Sequence, residues 1–327
     1  MYEISRRSLF MTAAGAVATF GLTRPIEFIG TAHAQKAPDQ LKPFSKFKVG
    51  GIEVTSIYDG LWEKPHAPNF AKNASLDEIK AALVAGGLTD AYVPIPFTVT
   101  VIKVGGKTVM FDAGTGGQFP PGGQGRTGFL GEANLKAAGI DPASISTIFV
   151  THYHPDHIWG LMAKETNAQV YPNAEIIVPA SEHKFWTDAN VFTKLPEAAH
   201  GLPKRIQATL PGWKNVKQFE GDVEVAPGIR AVATNGHTPG HTSYIVTSGA
   251  QQLWVTGDIC NIPALNMRNP GLNLVLDTDS AMAEASRRRM FERAIAEKAV
   301  LTGYHWGMPG AGTIAKDGAG YTFVPVG

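Results

Sequence analysis

His152, His154, Asp156 and His157 lie within six residues, immediately behind the apolar run Ile148-Phe149-Val150. A short β-branched and aromatic run of this kind reads as a buried strand. Alternate residues of an extended segment point the same way, so His152 and His154 can share one cation. Pro155 then turns the chain toward a helix, carrying Asp156 and His157 to a second cation. Such donors must sit on a rigid strand end and meet partners from distant parts of the chain. Three segments offer partners: His237-Thr238-Pro239-Gly240-His241 after the run Ile229–Ala233, Thr256-Gly257-Asp258 at the end of another apolar run, and Gly303-Tyr304-His305 after Ala299–Leu301. Imidazole with carboxylate suits zinc and also manganese, cobalt or iron.

The surrounding pattern is α/β. Strands are expected over Ile52–Tyr58, Thr98–Val104, Thr108–Phe111, Thr147–Thr151, Ile176–Val178, Ile229–Ala233, Ser243–Val246 and Leu253–Thr256. Helices are expected over Leu76–Val84, where Ser75 and Glu78 form a capping-box pair, and over Gly131–Ala138, Ser181–Asn190 and Ser280–Lys298. Strands following one another closely imply antiparallel hairpins, and two sheets with helices outside is the natural packing. Residues 35–50 read as an extended lead-in, and a half on each side of residue ~205 is compatible with the pattern. Gly114–Gly131, with eight glycines and two prolines in eighteen residues, reads as a surface loop.

The N-terminus has the pattern of a twin-arginine export signal. Arg6-Arg7 precedes a weakly apolar run from Leu9 to Leu22, and Ala32-His33-Ala34 offers the small residues a signal peptidase reads. Residues 1–34 are therefore expected to be removed, leaving a single catalytic domain over 35–327 that is periplasmic or secreted. The run is too short for a membrane span, which needs about 20 apolar residues, and no stable insertion is expected after cleavage. The remaining chain carries twenty-six basic and twenty-six acidic residues, which gives no electrostatic case for nucleic acid. Cys260 is the sole cysteine, so no intramolecular disulfide can form.

The HxHxDH element at 152–157, a histidine some eighty residues on, Gly257-Asp258 and the late His305 resemble the metallo-β-lactamase superfamily. The resemblance implies a four-layer αββα sandwich. It also implies that His152, His154 and His241 hold one ion, that Asp156, His157 and His305 hold a second, and that Asp258 bridges them. Phe111-Asp112-Ala113-Gly114, the run Asn134–Gly139, the run Gly236–Thr242 and the ending Gly320–Val326 are more closely similar to methyl parathion hydrolases and related lactonases. Relatives of this kind are often dimers, and a homodimer is left open.

Other candidates are set apart from these ligands. Asp112 is expected to support a ligand loop. His237, four residues before His241 and close to Pro239, is expected to be supporting or structural. His66, His183 and His200 lack partners at ligand spacing, and Cys260 reads as a small buried hydrophobe.

The expected chemistry is hydrolysis by a hydroxide bridging two divalent ions, without a covalent intermediate, with Asp258 and Asp156 as the catalytic carboxylates. Phe119, Trp186, Phe192 and Trp306 are the candidate substrate-binding residues, forming with Phe185 an aromatic rim for an apolar or aryl group. The longer glycine-rich loop and the segment after Phe192 depart from the methyl parathion hydrolases. That departure favours lactones or aryl esters, with organophosphate triesters as a side activity. The alternatives are a β-lactamase or thioester hydrolase of the same fold, and a mononuclear iron thiol dioxygenase.

Overall fold

In a computed structural model, which describes residues 42–119 and 131–326, strand alternation sorts apolar side chains onto two faces of each of two sheets. The first sheet contains β1 (Phe44–Val49), β2 (Ile52–Lys64), β3 (Val93–Val104), β4 (Lys107–Phe111), β5 (Ile145–Phe149), β6 (Glu175–Pro179) and β7 (Val216–Phe219), paired in that order. The second contains β8 (Glu224–Ala226), β9 (Ile229–Ala233), β10 (Thr242–Ser248), β11 (Gln251–Val255), β12 (Val300–Thr302), β13 (Ala311–Asp317) and β14 (Gly320–Pro325), also neighbour to neighbour.

Side chains one residue apart face opposite ways, and the cores follow that rule. Phe111, Phe149 and Ile177 from the first sheet meet Tyr244, Val246, Leu253 and Val255 from the second in a layer between the sheets. Met110, Ile148, Ile176 and Val178 turn outward to Leu83, Leu135, Trp186 and Ile206. Ile245 and Trp254 turn outward to Met290, Phe291 and Ala294 of the Ser280–Glu297 helix. The result is helices, sheet, sheet, helix: the four-layer αββα sandwich. Covering one such side chain contributes about 1.5–3 kcal/mol. These layers therefore outweigh exposed pairs such as Lys48–Glu53, each worth about 1 kcal/mol or less.

All eight expected strands and all four expected helices are present, with shifted ends. The Ser75 cap and its reciprocal bond from Glu78 form as the sequence implies. Part of the expected lead-in is instead β1, an edge strand paired antiparallel with β2. Its polar Lys46 and Lys48 suit an edge and obscured the strand in the sequence. The halves meet between Phe219 and Glu224, later in the chain than expected. A helix over Gly201–Thr209 was also concealed, because Gly201 and Pro203 fall in its first turn, where they are tolerated. The expected export segment 1–34 lies outside the described residues, as do residues 120–130 of the glycine-rich loop. No described helix is long and apolar enough to cross a membrane.

Candidate metal centre

β11 and β12 are parallel, and β9 is related to β11 through the antiparallel β10, so the C-terminal ends of all three lie at one rim. His237 follows β9, Asp258 follows β11 and His305 follows β12. The segment from His152 to His157 follows β5 of the other sheet. Donors from both sheets thus converge.

Two groups of donor atoms form. His152, His154, His237 and Asp258 make one, and Asp156, His157 and His305 the other, with the atoms of each group within 4.8 Å of one another. His154 Nδ1 lies 3.0 Å from His152 Nε2 and 2.9 Å from His237 Nε2. Asp258 links the groups: Oδ2 is 3.2 Å from His237 Nε2 and 3.0 Å from His305 Nε2, and Oδ1 is 3.4 Å from His157 Nε2. Asp156 Oδ2 stands 3.6 Å from His157 Nε2 and 3.5 Å from His305 Nε2.

His241 corrects the sequence reading. Its Nε2 accepts a hydrogen bond from the Asp258 backbone N–H at 2.9 Å, and its Nδ1 lies 2.8 Å from Thr234 Oγ1. Accepting at Nε2 puts the ring proton on Nδ1, and neither nitrogen keeps a lone pair for a cation. His237 stands in its place. The turn at Pro239, which seemed to remove His237 from the cluster, aims it inward and takes His241 beneath the Asp258 strand end. Gly257 permits this approach: at φ +56°, a Cβ there would lie 2.7 Å from His241 Nε2.

The outer nitrogens of His152, His157, His237 and His305 are tied down. Asp112 Oδ2 lies 2.7 Å from His157 Nδ1, while Asp112 also accepts the Thr151 backbone N–H at 2.8 Å. Thr151 Oγ1 is 3.0 Å from His152 Nδ1, Asp277 Oδ1 is 3.0 Å from His237 Nδ1, and the Pro96 carbonyl is 2.8 Å from His305 Nδ1. Such partners fix ring orientation and tautomer. Glu182, fully buried, accepts from Tyr153 N, Trp186 Nε1, Thr238 Oγ1 and Gly240 N, joining the two histidine segments. The spacing of the sequence gave no signal for Glu182 or Asp277.

Charge is concentrated here. Burial pushes His152 and His154 well below the usual imidazole range, reinforced by neighbouring histidines. Burial also works against a charged His237, but its bonds to Asp258 and Asp277 hold it up at about 9. His157 is likewise raised, because Asp258, Asp112 and Asp156 overcome burial. Asp258 is held well below the carboxylate range: burial opposes its charge, and His305 and His157 overrule it.

The residues fit two cations. His157 Nε2 and Asp258 Oδ1 are buried, face each other at 3.4 Å and have no hydrogen-bond partner among the described residues. Leaving such groups unsatisfied costs about 1–3 kcal/mol each, more when charged. A cation satisfies both, and the N and O donor set is one that zinc accepts.

The expected substrate-binding residues separate into two sets. Trp186, 6.2 Å from His154 between ring centroids, flanks the donors. Phe119 packs edge-on against Trp62 and Phe97 at 5.2 and 6.0 Å, and Phe97 is 5.7 Å from His305. Trp62, Phe97 and Trp159, whose ring also meets Phe119 at 6.2 Å, had no distinguishing sequence signal. Trp306 is instead a core residue: 5 % exposed, it packs on Phe291 and Phe323 and donates its N–H to the Cys260 carbonyl. Its neighbour His305 faces the opposite side of the chain. Phe192 meets His200, which bonds the Leu195 carbonyl, rather than a donor histidine. His183 meets Tyr153 OH and His66 the Asp90 carbonyl, while Cys260 is a buried thiol.

This arrangement of donors on an αββα sandwich defines a known class. The sequence model of the metallo-beta-lactamase superfamily matches residues 94–303, and the chain belongs to that superfamily. It is similar to an N-acyl homoserine lactonase of a Bacillus sp, with 33% identity over 112 residues, covering 34% of this chain and 37% of the relative. The N-acyl homoserine lactonase AttM of Rhizobium radiobacter is 27% identical over 179 residues, covering 49% of this chain and 62% of its own length. The chain thus spans less than two thirds of these curated relatives. Among solved structures, the dizinc quorum-quenching lactonase AidC, in complex with a product N-hexnoyl-L-homoserine, superposes with a TM-score of 0.80 at 27% identity, over 88% of this chain and 98% of AidC. The hydrolase AbOPH gives 0.77 at 24% identity, over 88% and 99%, a likeness of fold alone.

Proposed function

We propose that this chain is a dinuclear metal-dependent hydrolase of lactones, with N-acyl homoserine lactones the first substrates to test. Asp258 carries the reading: one carboxylate faces both donor groups, Oδ2 toward His237 and His305 and Oδ1 toward His157. His152, His154 and His237 would hold one ion, Asp156, His157 and His305 the other, and Asp258 both, with zinc the favoured metal. Two bound divalent ions supply Lewis acidity and lower the pKa of water toward neutrality.

The residues of the chain do the rest. The tied histidines hold their rings in one orientation, so little reorganisation is needed during reaction. Asn261 Nδ2 donates to Asp258 Oδ2 at 2.9 Å and steadies the carboxylate. Asp258, which faces both donor groups, is the carboxylate we assign to the proton transfer of the reaction. Phe119, partly exposed and backed by the buried Phe97, gives an apolar wall that suits an acyl or aryl group, and the buried Trp186 backs His154. Aryl esters are a second substrate class on this reading, and phosphotriesters a third. The names of the relatives favour lactones over the β-lactam, thioester and iron-dioxygenase readings.

Zinc content per chain, paired with turnover of an N-acyl homoserine lactone, an aryl acetate and a methyl phosphotriester, tests the proposal. Two equivalents with lactone turnover that His154→Ala abolishes supports it. One equivalent of iron with oxygen uptake and no hydrolysis overturns it. Export in the folded state through the Arg6-Arg7 signal is a further proposal, tested by N-terminal sequencing of the periplasmic protein: a start at Gln35 supports it, and Met1 opposes it.

A further inference from the structure

A buried carboxylate away from the donor cluster has no role in the site described above. Asp59, 1 % exposed, lies on β2 where the pairing with β3 slips between Tyr58 and Gly60. Such an irregularity re-aims a side chain. Asp59 Oδ2 accepts the Thr115 backbone N–H at 2.7 Å, and Oδ1 accepts the Gly131 N–H at 3.1 Å. One side chain thus fastens two points sixteen residues apart. Glycine is required beside it: a Cβ at Gly114 would lie 2.7 Å from Oδ2, and one at Gly131 2.6 Å from Oδ1. Burying a carboxylate without a cation is costly, and among the described residues the influences on this one are burial, the Thr115 and Gly131 bonds and Asp156.

The fastened segment leads to the apolar wall. Ala113 N donates to the His157 carbonyl and Gly160 N to the Gly114 carbonyl, so residues 113–115 are held between Asp59 and the metal loop. Phe119, four residues beyond Thr115, packs on Trp62, which lies three residues after Asp59 on the same strand. Phe119 also meets Phe97, the ring beside His305.

We propose that Asp59 is a positioning residue that sets the acyl-chain preference of the site by fixing Phe119 against Trp62 and Phe97. The proposal rests on the lactone reading for its substrate. It acts on the wall and not on the donors, so it affects binding of the apolar portion more than the chemical step.

The test is Asp59→Asn in the zinc-loaded enzyme, against N-acyl homoserine lactones of short and long acyl chain. Exchanging a charged acceptor for an amide that must present an N–H to one donor is expected to raise KM for the long chain about tenfold. The short-chain KM, kcat and zinc content should stay within about twofold. In a Phe119→Ala background Asp59→Asn should add nothing further, since the two act as one unit. Gly131→Ala, which keeps the Asp59 charge but crowds Oδ1, is the second variant and should reproduce the long-chain defect. Equal losses for both substrates, falling zinc content, or additivity with Phe119→Ala overturns the proposal. If the wild type turns over no lactone, the lactone reading fails by itself. The clamp is then judged by amide exchange at Thr115 and Gly131: about tenfold acceleration in Asp59→Asn supports it, and unchanged exchange overturns it.

Discussion

Asp277 and His237 meet through Oδ1 and Nδ1 at 3.0 Å, and the second Asp277 oxygen meets Arg287 Nη2 at 3.1 Å. Arg287, itself buried, also donates to the carbonyls of Ile259 and Pro270. The Ser280–Glu297 helix therefore reaches the donor cluster through one guanidinium and one carboxylate. Asp277→Asn is expected to weaken zinc binding about 10- to 100-fold by chelator competition. Arg287→Leu leaves the Asp277 charge unpaired and should lower unfolding free energy by about 3–5 kcal/mol in urea titrations.

His237→Ala and His241→Ala should differ in kind. The first removes an inward donor and is expected to lose an ion by elemental analysis. The second leaves the Asp258 N–H without its acceptor, so both ions should stay while stability falls by about 1–3 kcal/mol. Retention of metal by His237→Ala with loss in His241→Ala would reverse the assignment.

Trp306→Phe should change folding and not substrate recognition. It removes the bond to the Cys260 carbonyl, worth about 1 kcal/mol, from a ring enclosed by Phe291 and Phe323. Urea midpoints should fall while KM for every lactone stays within about twofold.

Burial pushes the Asp59 carboxyl up to about 6 from its ordinary 3.8. A raised carboxyl means that the folded state binds this proton more tightly than the unfolded chain. Its contribution to stability is greatest below the unfolded pKa, declines as pH rises through the folded one, and is constant above it. The difference amounts to about 3 kcal/mol. Unfolding free energies of the zinc-loaded protein between pH 4 and 7 should therefore fall less steeply in Asp59→Asn than in the wild type.

The sequence made the sandwich and most of the donor set legible because both rest on local pattern. Strands such as Leu253–Thr256 are short apolar runs buried on both faces, and HxHxDH is contiguous. The exchange of His241 for His237 was not legible, because two histidines four residues apart on a tight turn differ only in which one the turn directs inward. Trp306 was misread for the same reason: adjacent residues face opposite ways, and proximity to His305 in sequence put the two rings on different sides. Asp59, Glu182 and Asp277 each make at least one bond to a backbone N–H or a ring that the fold brings from 29 or more residues away. No spacing rule reports that.

Four donors come from the first sheet's β5 end, and His237, Asp258 and His305 come from the second. Neither sheet can complete a coordination sphere alone. Bound ions therefore rivet the two halves at one rim, adding a clasp that the apolar layer between them does not supply. Any ion bound only by the folded state raises its stability in proportion to the logarithm of free metal. On the proposed two-ion site, the endurance of this protein would follow the metal supply of its surroundings, and starving it of metal would open the sandwich at that rim.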